Sequence, residues 1–123
     1  SENFIFPPTE IVSKKEFFDY EAKYSDGMAD EITPARISRE LEKEVMERSS
    51  FIYDLFNCRG IVRIDYIHTR GRLYFMEVNT IPGMSAASIV PQQIEAMGKT
   101  LQEVFTLAIE DAIENNQKEG LRN

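Results

Sequence analysis

Residues 61–68 and 73–79 alternate apolar and polar side chains with period two, the mark of two strands with one covered face. Arg70-Gly71-Arg72 joins them, so they read as a β-hairpin. On either side the period changes to that of a helix. Ile37, Leu41, Val45, Ile52, Leu55 and Phe56 fall near helical spacing, and Thr33-Pro34 ahead of them reads as an N-cap with proline at the first helical position. Glu40, Glu42, Lys43, Glu44 and Glu47 mostly cover the opposite, solvated side. After the hairpin, Pro91 reads as the start of a short helix carrying Ile94 and Met97, which Gly98 terminates. Thr100-Leu101-Gln102-Glu103 has the capping-box pattern. The helix it opens should run to about Asn116, with Leu101, Val104, Phe105, Ala108, Ala112 and Ile113 on its buried stripe.

The N-terminal third is less regular. Residues 4–12 read as an extended segment broken by Pro7 and Pro8. Residues 16–22 could form a further strand, and residues 23–33 have no sustained apolar period and read as a mobile loop. Strands, helix, hairpin and helices in that order predict an α+β fold, an antiparallel sheet with helices packed on one face.

Composition narrows the function classes. The 123 residues suffice for one domain, and 42% hydrophobic content is enough for a core. A net charge of −7 argues against nucleic acid as a partner. No apolar run approaches the roughly 20 residues of a membrane span, and no leader pattern is visible. The single cysteine, Cys58, permits no internal disulfide and suits a reducing cytoplasm. Cys58 also has no evident base, because the only histidine, His68, lies at the far end of a predicted strand.

The candidate chemistry lies on the polar face of the hairpin. Alternation puts Val62, Ile64 and Tyr66 on one face with Tyr74, Met76 and Val78. Arg63 and Asp65 lie on the other, with Phe75, Glu77 and Asn79. A turn centred on Gly71 sets Asp65 opposite Glu77 and Arg63 opposite Asn79. Directly opposed carboxylates repel, and a divalent cation between them would remove the conflict. Two carboxylates and an amide oxygen are hard donors, which favours Mg²⁺ or Mn²⁺ over zinc. So few protein ligands would leave positions for water and phosphate. The alternative is a pair of solvated carboxylates with Arg63 as ion-pair partner. Beyond the hairpin, Gly83 permits close backbone approach to a ligand, and Ser88 sits near a helix start, where anions bind. Ser88 could equally be a plain helix cap.

Arg63-Ile64-Asp65, followed by Glu77-Val78-Asn79-Thr80-Ile81-Pro82-Gly83-Met84-Ser85-Ala86-Ala87-Ser88, resembles the C-terminal signature of the D-alanine–D-alanine ligases, which are ATP-grasp enzymes. Asp19-Tyr20-Glu21-Ala22-Lys23-Tyr24 resembles the start of that family's mobile active-site loop. The likeness spans residues 6–107, and one departure is Ser85, where the family often has threonine. The resemblance implies the following roles. Asp65 and Glu77 would ligate one Mg²⁺ (or Mn²⁺), and Glu77 and Asn79 a second. Arg63 and the Gly83 N–H would stabilise the oxyanion of the tetrahedral intermediate. Ser88 and the Ile89 backbone would hold the carboxylate of the second D-alanine. Lys23 would touch the transferred phosphate, and Tyr24 would lock the closed loop. The Lys23-Tyr24 pair favours a dipeptide over a depsipeptide product.

The implied function is the ATP-dependent joining of two D-alanines through an acyl phosphate, for peptidoglycan synthesis, by a cytoplasmic and homodimeric full-length enzyme. The resemblance also implies that the chain is a C-terminal part, inactive alone, whose partners are ATP, D-alanine and the rest of the same ligase chain. Another ATP-grasp carboxylate–amine ligase, or a non-catalytic interaction module, remains the alternative.

Overall fold

Pro7 and Pro8 keep the entering chain out of any ladder, and the β-branched pair Ile11 and Val12 then begins one. In the computed structural model, which describes residues 3–13 and 29–122, strand β1 (Glu10–Ser13) pairs antiparallel with β2 (Ala29–Ile32). The register sets Glu10 against Ile32, Ile11 against Glu31 and Val12 against Asp30. Residues 29–32, expected in a loop, are therefore strand. Four residues are too few to show a period, and their partner lies across an intervening segment. The strand expected at 16–22, together with Lys23 and Tyr24, lies outside the described residues.

Thr33-Pro34 does not open the helix. The 33–36 segment is tied back to the start of the chain. The Thr9 and Thr33 hydroxyls lie 2.6 Å apart, and the Ala35 N–H donates to the Pro8 carbonyl at 2.9 Å. The Arg36 guanidinium forks onto both carboxylate oxygens of Glu10, at 3.1 and 3.0 Å. Helix α1 (Arg39–Leu55) starts five residues beyond Pro34, where Ser38 accepts from the Leu41 N–H at 3.1 Å and Glu40 and Glu42 occupy the first turn. It ends where Asn57 turns left-handed (φ 53°). The Asn57 and Cys58 N–H groups then close onto the Asp54 and Tyr53 carbonyls, the paired bonds of a Schellman ending.

The anticipated stripe of α1 is covered only in part. Ile52 is buried, whereas Leu55 and Phe56 stand 64% and 56% exposed. The hairpin of β3 (Arg63–Thr69) and β4 (Arg72–Asn79) forms a second two-stranded sheet against this helix. The Tyr66 and Ser49 hydroxyls meet at 2.9 Å, and Arg48 donates to the Leu73 carbonyl at 2.9 Å.

Helix α2 (Ile89–Ala96) starts two residues before Pro91, which is harmless because a third-position N–H has no helical acceptor anyway. It closes at Gly98 (φ 75°), with Gly98 N–H on the Glu95 carbonyl and Lys99 N–H on that of Ile94. Thr100 and Glu103 form the anticipated capping box, each accepting from the other's N–H at 3.1 and 3.3 Å. Helix α3 (Leu101–Arg122) runs past Asn116. Its stripe is buried only near the start: Val104 is 4% exposed, but Ile113 is 54%.

The core lies between α2 and α3. Val90, Ile94 and Val104 pack with Phe6, Ile61, Met84 and Leu101. Each fully buried aliphatic side chain there contributes about 1.5–3 kcal/mol. This core anchors α2 and, through Met84, the loop that leads into it. The architecture is α+β, and the described strands form two separate antiparallel pairs rather than one sheet.

Candidate metal hairpin and adjoining turn

The hairpin turn consists of Arg70 (φ 52°) and Gly71 (φ 74°), both left-handed, as a tight two-residue turn with the twist of its strands requires. Such a turn pairs Thr69 with Arg72. Continued without a break, this register would miss Asp65–Glu77 by one residue. A β-bulge between Asp65 and Tyr66 absorbs the difference, so Asp65 stands opposite Glu77 and Arg63 opposite Asn79, as anticipated.

The bulge also corrects the face assignment. Met76 is the extra residue, so Tyr66 pairs with Phe75 and Ile67 with Tyr74. Phe75 therefore shares the helix-facing side with Tyr66 (ring centroids 6.4 Å apart) and also meets Phe56 at 6.1 Å. Tyr74 moves to the side of Asp65. The site face keeps Arg63, Asp65, Glu77 and Asn79.

Arg63 grips Asp65 with a two-pronged fork, Nε to Oδ1 at 2.8 Å and the Nη2 nitrogen to Oδ2 at 3.0 Å. The two side chains are only 21% and 30% exposed. The Asp65 hydrogen bonds raise the Arg63 pKa above its ordinary value despite the opposing effect of burial, and the Asp65, Glu77 and Glu31 charges add to the rise. The fork uses two of the five guanidinium N–H donors. At the end of β4 the Asn79 Oδ1 accepts from the Ile81 N–H at 3.2 Å, an Asx turn that swings the chain out of the strand.

That turn delivers Gly83 against Ser88. A Cβ at Gly83 would lie 2.9 Å from the Ser88 Oγ, so the absence of a side chain lets the two residues approach with the Ser88 hydroxyl in place. Ser88 occupies the N-cap position of α2, yet its side chain makes no cap hydrogen bond. Its hydroxyl lies 2.8 Å from that of Ser85, and its N–H donates to the Ser85 carbonyl at 2.9 Å. The open cleft beside the hairpin is lined by Arg63, Asp65, Glu77, Asn79, Gly83, Ser88 and Ile89 together. Seven of the nine sequence-derived site residues thus line one cleft; the other two, Lys23 and Tyr24, are those outside the described residues.

Among the described residues, no three His, Cys, Asp or Glu side chains cluster for a metal ion. The two carboxylates need the Asn79 amide to make a third donor. That all-oxygen set fits a hard divalent cation, because carboxylate and amide oxygens can accept more than one partner. Glu31 also lines the cleft, and Gln92 bonds to it at 3.1 Å. Neither is legible in the sequence, since Glu31 sits in a stretch without period and Gln92 on a polar helix flank.

Solved structures that resemble this fold include ligases. The crystal structure of D-alanine–D-alanine ligase from Bacillus anthracis complexed with ATP superposes with TM-score 0.75 at 33% identity, covering 93% of this chain and 37% of that one. The class is thus that of the ATP-grasp ligases. Residues 1–110 match the family model described as D-ala D-ala ligase C-terminus, and the chain belongs to that family. A D-alanine–D-alanine ligase of Bacteroides thetaiotaomicron is 54% identical over 112 residues, 90% of this chain and 33% of the relative. One from Parabacteroides distasonis is 46% identical over 114 residues. The chain spans about a third of the length of the curated relatives it matches.

Proposed function

We propose that this chain is the metal- and acceptor-binding part of an ATP-dependent ligase that joins two D-alanines through an acyl phosphate for peptidoglycan synthesis. The observation that carries the reading is the hairpin register. Asp65 and Glu77 stand opposed beside Asn79, and Gly83 and Ser88 line the same cleft.

Asp65, Glu77 and Asn79 would hold two Mg²⁺ (or Mn²⁺) ions, which supply charge neutralisation on the ATP phosphates. Arg63, aimed by its fork on Asp65, presents fixed positive charge where the oxyanion develops. The Gly83 N–H would donate to the same oxygen. Ser88, whose hydroxyl bonds Ser85 rather than capping the helix, would hold the carboxylate of the second D-alanine together with the Ile89 N–H at the start of α2. Lys23 would contact the transferred phosphate and Tyr24 would secure the loop above it. The amine of the held D-alanine attacks the acyl phosphate carbonyl, a C–N bond forms, and phosphate leaves.

The test is coupled ADP release by the full-length ligase that carries this segment. D-alanine-dependent release with ATP and Mg²⁺ supports the reading, and its absence refutes it. Residues 1–123 alone should release none.

A further inference from the structure

Gln92 is the fourth residue of α2, one turn along from Ser88. Its N–H closes the first helical bond onto the Ser88 carbonyl at 3.4 Å. Its side-chain nitrogen makes two further bonds, both at 3.1 Å, to the Ala87 carbonyl and to the Glu31 Oε1 on β2. Both partners are pure acceptors. Only a group with two N–H donors on one nitrogen can bridge them, so the amide orientation is dictated by its surroundings. A carboxylate at this position would repel Glu31 and could not donate to Ala87.

We propose that Gln92 is a positioning residue that clamps the acceptor-binding turn, residues 85–88, to strand β2 through Glu31. The assignment rests on the ligase reading above, in which Ser88 and Ile89 hold the second D-alanine. Backbone and side chain of Gln92 together fix two consecutive carbonyls, those of Ala87 and Ser88. The carboxylate that receives the clamp faces the same cleft as Arg63. Glu31 thereby ties the turn to β2, beside the cleft that Arg63 also lines.

The experiment uses the full-length ligase with Gln92→Leu, Glu31→Ala, Glu31→Gln and the Gln92→Leu/Glu31→Ala pair. Steady-state kinetics are taken with D-alanine and ATP, and backbone hydrogen exchange is followed by mass spectrometry. Loss of two hydrogen bonds, one to a charged group, should raise the acceptor KM about five- to tenfold. The ATP KM and kcat should stay within about twofold. Exchange should quicken in residues 85–88 and 29–32 together. Glu31→Gln keeps an acceptor oxygen and should stay near wild type. The paired variant should be no worse than Gln92→Leu alone, because both remove the same contact.

An unchanged acceptor KM, equal loss in every kinetic constant, or additive effects in the pair would overturn the clamp. If the wild-type protein shows no D-alanine-dependent turnover, the ligase reading fails by itself. Concerted exchange in the two segments then still supports the clamp, and unlinked exchange rejects it.

Discussion

Gly83→Ala probes the closest contact in the site. The new Cβ would stand 2.9 Å from the Ser88 hydroxyl oxygen and 3.5 Å from the Ser88 Cβ. Only the first distance is untenable, and the obstructing atom can move by rotation about the Ser88 side-chain bond. Rotation breaks the 2.8 Å bond to Ser85. That pair is exposed, so water replaces part of what is lost, and the cost should be about 0.5–1.5 kcal/mol. Gly83 is not in the left-handed region, so no backbone strain adds to this. The loss appears locally, as about two- to tenfold faster exchange of the Ser88 amide in the full-length protein. The acceptor KM should rise with it, because the hydroxyl no longer points where Ser85 aimed it. Adding Ser88→Ala removes the obstructing oxygen, so the double variant should be more stable than the two single losses summed. Strict additivity, or an unmoved Ser88 amide, would refute the close-approach account. A loss beyond about 3 kcal/mol would show that backbone, not a hydroxyl, fills the space.

Arg63→Lys keeps the charge but loses the planar fork that holds both Asp65 oxygens. In the full-length ligase kcat should fall about 10²–10³-fold, with unfolding free energy lowered by less than the kinetic loss, about 1–2 kcal/mol for one lost prong of a partly buried fork. Equal loss of stability and activity would make the pair structural instead. The 123-residue chain alone should show no D-alanine-dependent ADP release: in the proposed reading Asp65, Glu77 and Asn79 would supply metal ligands, but the chain spans only about a third of its relatives.

Where a bond is local, the sequence declared it. The capping box at Thr100 and Glu103 and the helix stop at Gly98 were readable because both partners lie within a few residues of each other. The opposed pair Asp65 and Glu77 was readable too, although by a compensation. The turn is one residue shorter than assumed, and the bulge restores the register. A bulge leaves no compositional mark here, so strict alternation misplaces Phe75 and Tyr74. Long-range ties were invisible. Thr33-Pro34 carries helix-start chemistry, but Pro8, Thr9 and Glu10 hold that segment first. Glu31 and Gln92 meet across 61 positions, with no pattern in either neighbourhood to announce it. Leu55, Phe56 and Ile113 kept helical spacing but lie beyond the reach of the α2–α3 core.

The central claim is that the opposed carboxylates of the hairpin hold divalent metal against nucleotide. Titration of Mn²⁺ into the full-length ligase with ATP, followed by electron paramagnetic resonance, addresses it directly. Wild-type protein should bind two ions per chain, and Asp65→Ala should lose one while Glu77→Ala, removing the shared ligand, should weaken both. Undiminished binding in both variants would contradict the claim and leave Asp65 and Glu77 as ordinary ion-pairing surface residues.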